Sequence, residues 1–120
     1  MQHNTKPVLS ASTLIGDDVK NSAGESLGKI EEIMIDTSTG SVAYAVLSFG
    51  GFLGMGDKLF AVPWQAMEID YDEHEFVLDV DEERLENAPG FAKDNWPKSP
   101  DPTFMQEVYA FYKVEPAYGI

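Results

Sequence analysis

"LGKIEEIMIDTSTGSVAYAVLSF", residues 27–49, is the stretch whose reading decides the fold. Its first ten residues set Ile33 and Ile35 on one side with polar neighbours on the other, the period-two pattern of a half-buried strand. SVAYAVLSF (41–49) is apolar on both faces and reads as a second, more deeply buried strand. Between them DTSTG (36–40) carries hairpin chemistry: Asp36 can accept hydrogen bonds from the backbone ahead of it, and Gly40 can take a positive φ. The two strands are expected to pair antiparallel.

The same logic extends in both directions. Upstream, DVKNSAGESLG (18–28) reads as a short strand and a turn. Downstream, KLFAVP (58–63) is a further strand ended by Pro63, which lacks an N–H for another ladder bond. MEIDY (67–71) and FVLDV (76–80) alternate apolar with acidic residues around DEHE (72–75), which makes a second hairpin with one wet face. Five or six short antiparallel strands with Gly-rich corners in so few residues predict a small closed or half-closed β-barrel, because closure removes exposed edges.

Past Val80 the pattern changes. DEERLENA (81–88) predicts a short helix with Asp81 as N-cap, stopped by Pro89-Gly90. FAKDNWPKSPDP (91–102) is too rich in proline to be regular and reads as a strap pinned by Phe91 and Trp96. TFMQEVYAFYKV, from Thr103, places Phe104, Val108, Phe111 and Tyr112 on one helical face. That face must be covered, either by the chain's own barrel or by a second copy. The expected organisation is thus a disordered tail over 1–10, a barrel over 11–83 and a helical C-terminal extension over 84–120.

Composition narrows the function. The 120 residues fit one domain, and the absence of cysteine removes disulfides, thiolate catalysis and cysteine-ligated metals. A cytoplasmic location is the expectation, with no signal peptide in the first residues and no apolar run long enough to span a membrane. The net charge of −13 disfavours nucleic acid as a partner. Ten acids against Arg84 alone lie in residues 68–86, a face that either docks a basic partner or cation or simply remains solvated.

The pieces "LIGDDV", "GESLGKIEEIMID", "GSVAYAVLSFGG" and "KLFAVPW", in that order over about residues 11–83, resemble a PRC-barrel domain, the family named for the photosynthetic reaction centre H subunit. LENAPGF followed by NWP resembles the extension of small stand-alone bacterial members. The resemblance implies a small β-barrel acting as an adaptor, since barrels of this family serve proteins of unrelated duty. The H subunit's membrane helix and the ribosome maturation factor's extra N-terminal domain have no counterpart in this sequence, so neither duty transfers. The resemblance supplies no catalytic residues and no cofactor.

"GGFLGMGDKLFAVPW" (50–64) poses a choice between a ligand cradle and a barrel corner. A phosphate cradle runs into a helix N-terminus with a cation or hydroxyl at hand, whereas this run leads into a strand. Gly50, Gly51, Gly54 and Gly56 therefore read as a bend, and Phe52, Leu53 and Met55 as an apolar patch suited to a partner unless they fold back over the barrel. Asp70, Asp72 and His74 could share a strand face and hold a divalent cation, against the plainer reading of an acidic hairpin tip. His3 lies in the tail, the serines form no nucleophile elbow, and Trp64 and Trp96 read as core anchors. The function expected is a non-enzymatic protein–protein adaptor that self-associates as a homodimer through Phe52, Leu53, Met55, Phe104, Val108, Phe111 and Tyr112. The alternative is a small-ligand or divalent-cation binder using the Gly-rich loop 50–58 or the acidic hairpin 68–83.

Overall fold

Seven strands form one sheet in the computed structural model, which describes residues 8–49, 58–92, 96 and 102–115. In chain order the elements are α1 (Ala11–Leu14), β1 (Asp18–Lys20), β2 (Ser26–Asp36), β3 (Ser41–Ser48), β4 (Lys58–Pro63), β5 (Met67–Asp70), β6 (Glu75–Leu78), α2 (Glu82–Glu86), β7 (Gly90–Ala92) and α3 (Pro102–Tyr112), with a 3-10 turn at Trp64–Ala66. The spatial order is β5-β6-β1-β2-β3-β4-β7.

The decisive hairpin forms as its sequence dictates. Asp36 Oδ1 accepts from the backbone N–H and the hydroxyl of Ser38, at 2.9 and 2.6 Å, and Gly40 turns the chain at φ +80°. Asp36 then pairs with Ser41, and the antiparallel ladder runs back to Lys29↔Ser48. Gly28 lets β2 approach the end of β3. It stands at φ +119°, and a Cβ there would lie 2.1 Å from the Ser48 carbonyl oxygen.

Three expectations need correction. The sheet has seven strands rather than five or six, and it is mixed, because β1 runs parallel to β6 in the register Val19↔Phe76. Phe91 and Ala92 are regular after all: they complete β7, whose Gly90 pairs with Phe60 and whose Phe91 pairs with Leu59. Ile33 and Ile35 do not share an environment. A bulge opposes Met34 to Tyr44 and Ile35 to Val42, skipping Ala43, so Ile33 packs on the core while Ile35 stays 50% exposed. Between β5 and β7, the two ends of the sheet, there is no ladder among the described residues, so the sheet is unclosed there.

Two apolar layers follow from the alternation of β3 and β4. Ala45, Leu47, Phe60 and Val62 point to one face and meet Val19, Leu27, Ile30, Phe76, Leu78 and Leu85 in the main core. Tyr44, Val46, Leu59 and Ala61 point to the other face and form a second, smaller core. That double commitment is the physical reason both strands are apolar throughout their interiors, residues 42–47 and 59–63. Leu14 of α1, a turn the sequence reading did not anticipate, joins the main core.

Candidate interaction surface

The second core owes its cover to α3. Val108 is fully buried among Ala43, Tyr44, Val46, Leu59 and Ala61, and Phe104, Met105 and Tyr112 flank it. Phe111 is half-buried and packs instead with Tyr112 against the main core. Where the sequence left open whether this helical face meets its own sheet or a second copy, the chain's own sheet covers it. Val108 is consequently not available on the surface of this conformation, and Phe104, Phe111 and Tyr112 are only partly so.

Polar contacts fix the helix in place. Tyr109 Oη donates to the Ala43 carbonyl at 2.6 Å. The Arg84 guanidinium of α2 stacks on the Phe111 ring, 4.2 Å from its centroid, and donates to the Phe111 carbonyl near the helix end, where the dipole favours a cation. Gln65 Nε2 donates to the Glu115 carbonyl at 2.8 Å. Phe91 of β7 meets Trp96 and Phe104 at centroid distances of 5.1 and 6.2 Å, so the aromatic pinning read from the sequence is present. Two features of the seat are unfavourable. The buried Tyr112 hydroxyl has no hydrogen-bond partner among the described residues, and burial pushes its phenol well above the ordinary range despite the opposing Arg84 charge. Lys113, just past the helix, takes φ +58° where glycine is usual.

The Gly-rich run supplies no such geometry, because Phe52, Leu53 and Met55 lie outside the described residues. At its end Lys58 sits over the Phe60 ring, 5.1 Å from the centroid. Where the run begins, Phe49 and Ser48 join Asp18, Ser26, Gly28, Lys29 and Glu82 around a shallow groove of about 390 Å³. Its one cation, Lys29, is paired with Asp18 at 2.8 Å, which holds that carboxyl below the usual carboxylate range.

Carboxylates of the acidic segment serve the fold. Asp70 Oδ1 accepts from the backbone N–H groups of Asp72 and Glu73, Glu75 pairs with Lys20 at 3.2 Å, Asp79 accepts from Ser22, and Asp81 caps α2 through the Arg84 N–H. Asp70, Asp72 and His74 do not share a strand face, since residues 71–74 form the hairpin turn and His74 sits at φ +57°. Among the described residues no three His, Asp or Glu side chains converge as metal ligands would. The buried polar side chain among them, Asn21, is likewise occupied: its Oδ1 accepts from Ala23 and Glu25, and its Nδ2 donates to the Glu25 carboxylate.

Residues 6–85 match the family model of the PRC-barrel domain. No curated protein matches the sequence. No helix among the described residues is long and apolar enough to cross a membrane.

Proposed function

The chain belongs to the PRC-barrel family, and from that premise we propose that it is a non-enzymatic adaptor, a small barrel that binds protein and self-associates. One observation carries this reading. The side chains that acid–base or ligand chemistry would need, Asn21, Asp36, Asp70 and Asp81, are each engaged in turns and caps rather than aimed together into a cavity. What the described surface offers instead includes exposed apolar side chains, Ile35 at 50%, Leu9 at 43% and Ile15 at 38%. The barrel's closure, the cytoplasmic location and the homodimer belong to the same proposal.

The groove of about 390 Å³ at the start of the Gly-rich run favours a second reading, a small-ligand site. One sample separates the two. Light scattering on the full chain is expected to show a mass rising with concentration, while calorimetric titration with calcium, magnesium and nucleotides stays flat. A saturable heat with a constant monomer mass would reverse the assignment.

A further inference from the structure

The chain has no cysteine and five methionines, so a peroxide meets thioether sulfur here and never a thiol. Met34, Met67 and Met105 fall among the described residues, and they differ in access. Met67 of β5 is buried in the main core. Met34 of β2 and Met105 of α3 are partly exposed, and both pack against the second core, one from the sheet and the other from the helix that covers it.

The seat of α3 has little stability to spare. The helix has 11 residues, too few to persist alone in water, so its order depends on the face beneath it. Tyr112 brings a buried hydroxyl without a partner among the described residues, and Lys113 turns at φ +58°. A thioether suits the rim of such a seat because it is flexible and apolar. A sulfoxide oxygen there must either lose its water or draw the side chain out into solvent, and both outcomes take apolar contact away from α3.

We propose that Met34 and Met105 are modification sites for peroxide, and that their conversion to sulfoxides releases α3 from the β3–β4 face. The thioether sulfur attacks a peroxide oxygen, an S–O bond forms as the O–O bond breaks, and hydrogen peroxide is reduced to water as the sulfur is oxidised. A methionine sulfoxide reductase reverses the change, the oxygen leaving as water while two thiols are oxidised to a disulfide. Release uncovers Val108 and the apolar layer of Ala43, Val46, Leu59 and Ala61, a surface that the reduced chain keeps closed. The inference does not depend on the adaptor reading.

Peptide mapping by mass spectrometry while the full chain is exposed to hydrogen peroxide, with hydrogen exchange measured on the same samples, tests this. Sulfoxides are expected at Met34 and Met105 ahead of Met67. Amide exchange in α3 is expected to quicken about tenfold, and reductase treatment to restore its protection. Met34→Leu with Met105→Leu removes the oxidisable sulfur at similar apolar volume and should keep α3 protected in peroxide. Oxidation of Met67 first, or sulfoxides at both rim sites with α3 exchange unchanged, would overturn the proposal on the native chain alone. An equal loss of protection in the double leucine variant would overturn it as well.

Discussion

Tyr109 donates its hydroxyl to the carbonyl of Ala43, the residue that the bulge in β3 leaves without a register partner in β2 and that lies one place past the end of the β3–β4 ladder at Tyr44↔Pro63. The bulge and the helix are thus one device. A strand irregularity falls in an apolar layer, and a side chain 66 positions away reaches its backbone carbonyl.

Tyr109→Phe removes that donor and leaves a buried acceptor unmet, so a loss of about 1–3 kcal/mol is expected in urea unfolding. Tyr112→Phe, three residues further along the same helix, removes a hydroxyl that has no partner among the described residues and should be neutral or stabilising. Equal losses for the two variants would refute this account of the helix seat.

Gly28→Ala should destabilise the chain by about 3 kcal/mol or more, since its methyl group would meet the Ser48 carbonyl oxygen in addition to the left-handed strain. Gly40→Ala meets open space, and only the strain of roughly 1–2 kcal/mol applies. Urea midpoints for the pair check the difference.

Lys113→Gly replaces a strained residue at the end of α3, where the Val114 N–H reaches the Tyr109 carbonyl and the Lys113 N–H reaches that of Ala110. A gain of about 0.5–1 kcal/mol is expected, seen as a rise of a few degrees in Tm. An unchanged or lower Tm would show that the left-handed turn carries no strain.

Carboxyl NMR titration should separate three neighbouring behaviours. Hydrogen bonds from Ser38 hold Asp36 below its ordinary 3.8, and the Lys29 hydrogen bond and charge do the same for Asp18. Both favour the fold above pH 3.8 and lose that contribution as pH falls through their lowered values. Asp17 is raised by burial, with His74 opposing, so it penalises the fold as pH rises from 3.8 through its folded value. Lys29→Gln should move Asp18 up toward 3.8 and leave Asp36 in place.

Local chemistry was legible and long-range pairing was not. Asp36 and Gly40 announce their turn, Asp81 its cap, and the strand limits near Lys58 and Pro63 are marked by residue type. The parallel pairing of Val19 with Phe76 joins segments that carry no mutual signal, and β7 is too short, beside Pro89, to show a period. Ile35 misled because it lies at the hairpin end of β2, past the bulge opposite Ala43, where neither apolar cluster reaches it. The destination of Val108 did have a sequence counterpart: residues 43–47 and 59–62 are apolar on both faces, so a second covering layer was required. Phe52, Leu53 and Met55 remain known from sequence alone.

The adaptor proposal is tested most directly by sedimentation equilibrium of the full chain at about 0.05 M and about 0.5 M salt, conditions that differ in screening length by several-fold. With apolar contacts joining two bodies of charge −13, a reversible monomer–dimer equilibrium that tightens about tenfold at the higher salt is predicted. A monomer at every concentration, or a dimer that weakens with salt, would contradict it.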